Sequence, residues 1–176
     1  MNEMGCINKI IIHHTERNND SPSFVTLRHK YLRRWEDIWY HYIIGNTRPF
    51  SKNGKVYHGR SEYFEWAHTI WHNKDSLWIC LIGNFNKVIP SEEQLESLFK
   101  LLKDKIKKYQ LTVNDILWHN EVFGTTKTCP WKFTDMAYIR WILRQDYSFC
   151  INDYIERVLE KNNPVWSIVR TFIWQK

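Results

Sequence analysis

The run "NKIIIHHTE", residues 8–16, sets three consecutive isoleucines before a pair of histidines. Three β-branched side chains in a row, with no polar alternation, have the character of a strand buried on both faces. Such a strand needs a covering layer on each side. His13 and His14 end the run where the chain leaves the core and side chains can meet a ligand.

Further apolar runs of strand length follow. The first strand is expected over about 6–13, then the polar loop "TERNNDSPS". A helix "FVTLRHKYLRRW" comes next, with Phe24, Leu27, Tyr31 and Trp35 on one face at spacings near 3.6. Strands fit "WYHYIIG" (39–45), "KVYHG" (55–59) and "SLWICLIG" (76–83), with "SKNG" as a hairpin turn between the first two. The clearest helix is "PSEEQLESLFKLLKDKIKKY", with Ser91 and Gln94 as a capping box and Leu95, Leu98, Leu102 and Ile106 as its apolar stripe. A short strand "ILWH" (116–119), a loop to Pro130 and a helix from about Thr134 to Arg144 complete the pattern. Helices mixed with strands around one apolar sheet give an α/β or α+β domain. The 176 residues suit a single domain.

Charge narrows the partners. A net charge of +6 and a pI near 9.1 favour polyanions, among them nucleic acid, anionic membrane and bacterial cell wall. The lysines concentrate in "KLLKDKIKKYQ" with acids close by, the solvated face of a helix, and no nucleic-acid-binding signature accompanies them. No apolar run reaches the roughly 20 residues of a membrane span. "MNEMGCINK" lacks the basic start and apolar stretch of a secretory signal, so the expectation is synthesis in a cytoplasm and export by another route. Cys6, Cys80, Cys129 and Cys150 form no CxxC pair and read as reduced, Cys6 and Cys80 as core residues.

A second strand-end histidine, His119, stands after "DILW", and a thiol follows ten residues later in "HNEVFGTTKTCP". His13, His119 and Cys129 are candidates for a metal set. Zinc accepts imidazole and thiolate, and a catalytic zinc keeps three protein ligands with one position open for water.

The ordered set "IIIHHT", "WEDIWYHYIIG", "GKVYHGR", "AHT", "SLWICLIGNF", "PSEEQLESL" and "ILWHNEVFGTTKTCP" resembles the zinc-dependent N-acetylmuramoyl-L-alanine amidases, which share a fold with the phage lysozyme-type amidases and the animal peptidoglycan recognition proteins. The likeness covers about residues 6–144. It implies an α/β single domain, a central mixed β-sheet flanked by helices, over residues 1–145. The likeness does not cover residues 146–176, where "NDYIERVLEK" reads as a helix and "PVWSIVRTFIW" as a second apolar element; this C-terminal helical extension is expected to dock on the domain, with a wall or membrane surface as the alternative. By position the likeness implies zinc held by His13, His119 and Cys129, with Tyr40 near the attacking water, Lys127 stabilising the oxyanion and His68 lining the groove. His14 points the other way along its strand and has a structural role. The implied partner is peptidoglycan or a muropeptide, bound by a monomer, with no nucleic acid and no membrane span.

Two other functions stay open on this resemblance: a recognition module that binds without cutting, and a cytosolic recycling amidase. The recycling branch uses Asp as third ligand, so Cys129 leans away from it.

The chain departs from the resembling pattern in two ways. The loop from His119 to Cys129 is two residues longer. Trp39, Trp66, Trp71, Trp78, Trp118 and Trp131 stand where the pattern has glycine. Composition points the same way: exchanging those six would double the 6 glycines, bringing them near the usual share of about 7%. The expectation is that UGA codons read as glycine in the source were written here as tryptophan; the alternative is a tryptophan-rich amidase whose loops have adjusted to stack on sugars.

Overall fold

A computed structural model describes residues 5–47, 51–64, 75–122, 125, 129, 133–145 and 151–162. Among the described residues five strands, β1 (Lys9–His14), β2 (Tyr42–Ile44), β3 (Val56–His58), β4 (Ser76–Leu81) and β5 (Ile116–Trp118), form one sheet in the order β3-β2-β4-β1-β5. β1 runs parallel to β4 and β5, β2 parallel to β4, and β3 antiparallel to β2. This is the mixed sheet expected for the chain.

The isoleucine run becomes the sheet's second-from-edge strand and is covered on both sides. Ile10 and Ile12 join Leu77, Ile79 and Leu81 in a core closed by three helices: α2 (Glu92–Tyr109), α3 (Met136–Gln145) and α4 (Ile151–Asn162). Ile11 faces the other way, with Ile43, Trp78, Cys80 and Ile82, under helix α1 (Pro22–Leu27). Period-2 alternation therefore puts His13 on the α1 side and His14 on the α2 side.

Local chemistry sets the element ends. Ser91 caps α2 by accepting from Gln94 N, and the Gln94 side chain returns to Ser91 N, the full capping box. Leu95, Leu98 and Leu102 of its stripe are buried, with Ile106 packed beside them. The β2–β3 turn needs Gly54: its φ is +68°, and a Cβ there would lie 2.6 Å from the Glu93 carbonyl oxygen. Tyr154 and Val158 of α4 are buried in the same core as α2 and α3, and the Tyr154 hydroxyl accepts from Asp135 N at 3.2 Å. The apolar stretch "PVWSIVRTFIW" and Cys150 lie outside the described residues.

Two expectations are corrected. Cys6 is exposed, because the chain enters the sheet only at Lys9; Asn8 and Lys9 both donate to the Asp75 carbonyl just before pairing begins. The stripe Phe24, Leu27 and Tyr31 faces solvent, and Pro22, Val25 and His29 face the sheet instead. The helix widens to a π turn over Arg28–Leu32, which breaks the 3.6-residue phase. His29 is drawn inward as Trp39 N donates to its Nδ1 at 3.3 Å.

Candidate metal centre

Three chain segments bring the site together. β1 delivers His13 from its C-terminal end. β5 delivers His119 in the single 3-10 turn that follows it, His119–Glu121. Cys129 returns to that turn because Asn120 N donates to the Cys129 carbonyl at 3.1 Å. Arg140 of α3 holds the turn from outside: it donates to the Ile116 carbonyl at 2.7 Å and to both Glu121 carboxylate oxygens, and Glu121 accepts from Trp118 N at 2.8 Å.

One ligand atom from each of His13, His119 and Cys129 lies within 4.8 Å of the other two. The His13 and His119 rings are 4.0 Å apart between centroids, and Cys129 Sγ is 3.7 Å from His13 Nδ1. His13 is 7% exposed, and its Nε2 is a buried nitrogen with no hydrogen-bond partner among the described residues. Burial, with His119 and His14 nearby, holds the His13 imidazole well below its ordinary range. It is neutral and offers a lone pair. Two imidazoles and a thiol, with one buried nitrogen lacking a partner, are a donor set that fits a borderline-soft divalent cation such as zinc.

The surroundings are aromatic. Tyr40 is buried with its ring 5.5 Å from that of His13, and burial, then Cys80 and Cys129, pushes its phenol well above the usual range. Trp78 stacks on His13 at 4.5 Å and meets His119 edge-on at 5.6 Å, its indole N–H donating to Ser76 Oγ. Trp118 is buried on the opposite face of the sheet, and Trp39 stacks on Trp35. Trp78 belongs to no site motif in the sequence; its only signal there is the parity that Ile11, His13, Trp78 and Cys80 share through the β1–β4 register. The His14 ring turns to the other face of the sheet and accepts from Phe85 N at 3.0 Å through Nδ1, a structural bond, while its backbone N donates to Cys129 Sγ at 3.2 Å. Lys127, His68, Trp66, Trp71 and Trp131 lie outside the described residues.

Residues 3–132 match the family model described as N-acetylmuramoyl-L-alanine amidase. The chain belongs to that family. Peptidoglycan-recognition protein SD of Drosophila simulans is 39% identical over 94 residues, 53% of this chain and 47% of that protein. Human N-acetylmuramoyl-L-alanine amidase is 30% identical over 104 residues, 58% of this chain and 17% of that protein. The chain thus spans about half or less of the length of these two relatives. In three dimensions it resembles the endolysin N-acetylmuramoyl-L-alanine amidase LysCS from Clostridium intestinale URNW, with a TM-score of 0.69, 31% identity and coverage of 79% of this chain and 84% of that one. Drosophila peptidoglycan recognition protein SD gives a TM-score of 0.60 at 29% identity, over 73% of this chain and 78% of that one. The fold is that of the amidases and peptidoglycan recognition proteins.

Proposed function

We propose that the protein is a zinc-dependent amidase that hydrolyses the bond between the lactyl group of N-acetylmuramic acid and L-alanine in peptidoglycan or muropeptides. The observation that carries this reading is the convergence of His13, His119 and Cys129 within 4.8 Å. The cysteine completes the donor set that a purely binding module can dispense with.

His13, His119 and Cys129 would hold the ion. When bound, zinc supplies a Lewis acid and makes water a usable nucleophile near neutral pH. The chain's own residues do the rest. Tyr40, buried beside His13, offers a phenol O–H to orient the attacking water or stabilise the developing charge. Lys127, two residues before Cys129 in sequence, would add a fixed positive charge at the oxyanion. His68 would line the substrate groove. Water oxygen enters the lactyl carbonyl, the C–N bond breaks, and a proton passes to the leaving amine of L-alanine.

Mass spectrometry of the soluble products from purified peptidoglycan tests this, with added zinc, with chelator, and with Cys129→Ala. Stem peptides beginning at a free L-alanine amine are expected from the zinc-loaded protein only, falling by at least about a hundredfold in the variant. Binding to the wall without such products would instead favour a recognition module, in keeping with the names of several relatives.

A further inference from the structure

We infer that the outward face of α1 and its π-helical continuation, residues 24–34, is a docking surface for an anionic lipid bilayer. The inference goes beyond the amidase reading and does not depend on it.

The segment carries the helical stripe visible in the sequence, turned to solvent. Phe24 is 43% exposed, Leu27 48%, Tyr31 73% and Leu32 72%. Tyr31 and Leu32 are adjacent, so two large side chains stand out together at the end of the helix. An exposed apolar group of this kind marks an interaction surface.

Charge identifies the partner. From Ser21 to Trp35 the sequence has four strong cations, Arg28, Lys30, Arg33 and Arg34, bounded by Asp20 on one side and by Glu36 and Asp37 on the other. Two of them are answered from the flanks: Arg28 forks onto buried Asp20 at 2.9 and 3.0 Å, and Lys30 lies 3.3 Å from Asp37. Arg33 lies over the Trp35 ring at 5.6 Å, and Arg34 is exposed at the helix end with φ +56°. Exposed leucine and aromatic side chains flanked by arginines are the composition of an interfacial helix, whose apolar face enters the headgroup boundary while cations meet anionic lipid. A soluble polyanion would use the arginines and leave Leu27, Tyr31 and Leu32 without a role.

The same segment has an inner face. His29 packs its ring 5.5 Å from Tyr40, which in turn neighbours His13. Docking would therefore place the site roughly one helix diameter, about 10 Å, from the lipid surface.

Co-sedimentation of the full chain with vesicles of phosphatidylglycerol, and with phosphatidylcholine as control, tests the inference. Two variants are compared at equal fold content: Tyr31→Glu/Leu32→Glu, which removes the apolar tip, and Arg33→Glu/Arg34→Glu, which reverses the charge. Binding to phosphatidylglycerol alone is expected, weakening at least about tenfold in each variant and with added salt. No binding, or equal binding to both lipids, overturns the inference. So does undiminished binding by the variants, which would place the contact elsewhere in the chain. If polyphosphate competes fully and Tyr31→Glu/Leu32→Glu binds as the parent does, the surface is a polyanion site and not a lipid one. A dimer that Tyr31→Glu/Leu32→Glu dissolves would assign the face to a second copy of the chain and overturn it equally.

Discussion

Trp78 sits where a substitution speaks to two questions at once. Its indole is buried in the middle of β4, stacked on the ring of His13 and anchored to Ser76. A tryptophan made in that place and cut back to glycine would lose contact with a candidate metal ligand and leave a cavity, at about 3–5 kcal/mol. A glycine miswritten as tryptophan would behave in the opposite sense, with Trp78→Gly gaining stability and opening space beside His13. The gene separates these cases. UGA is expected at codons 39, 66, 71, 78, 118 and 131, and UGG at those codons contradicts the recoding.

His41 shows how a histidine outside the candidate metal set contributes at the level of the elements. It exchanges backbone and side-chain bonds with β4, its Nδ1 accepting from Trp78 N at 3.0 Å and its own N–H donating to the Trp78 carbonyl at 3.0 Å. Burial lowers its imidazole to about 4, against which the Phe64 carbonyl raises it a little. In the unfolded chain it titrates near 6.5. The folded state therefore keeps its full stability above pH ~6.5 and loses it as pH falls toward 4, where the unfolded chain takes the proton first. At lower pH, Glu62 adds to the loss. Burial alone would raise its carboxyl, yet hydrogen bonds from Lys108, Tyr109, Tyr42 and Lys105 hold it at about 2, so its contribution fades below pH ~4.5. Urea midpoints measured from pH 7.5 to 4 are expected to fall, with a shallower slope in His41→Asn; a flat profile in the parent would contradict the neutral buried imidazole.

Elements whose pattern and packing agree were legible beforehand. β1 was readable because three isoleucines have a single reason to be adjacent, and α2 because its cap and its stripe name the same helix. α1 was readable as a helix but not in its orientation: the stripe of Phe24, Leu27 and Tyr31 is as periodic as a core-facing one, and only the inward pull on His29 and the π turn decide which side meets the sheet. Cys6 stands outside the core because strand pairing starts only at Lys9, a boundary that an apolar run does not mark.

At the scale of the whole molecule, the parallel register of β1, β4 and β5 gathers the chemistry at one end of the sheet. His13 leaves β1 and His119 leaves β5 on neighbouring strands, and the Asn120–Cys129 backbone bond closes the third side. The pairing of His13 with His119 was legible as two histidines ending two apolar runs. Their adjacency was not, because strand order is a property of long-range pairing that no local window contains. The role of Arg140 was hidden for the same reason: it lies in α3 and acts on β5 and Glu121 across the fold.

The central claim is that these three side chains are a metal centre, and X-ray absorption at the zinc edge of the zinc-loaded protein tests it most directly. The expected spectrum contains one sulfur scatterer at about 2.3 Å and two imidazole nitrogens at about 2.0–2.1 Å, the sulfur disappearing in Cys129→Ala. Zinc bound without sulfur, or with fewer than two imidazoles, would contradict it.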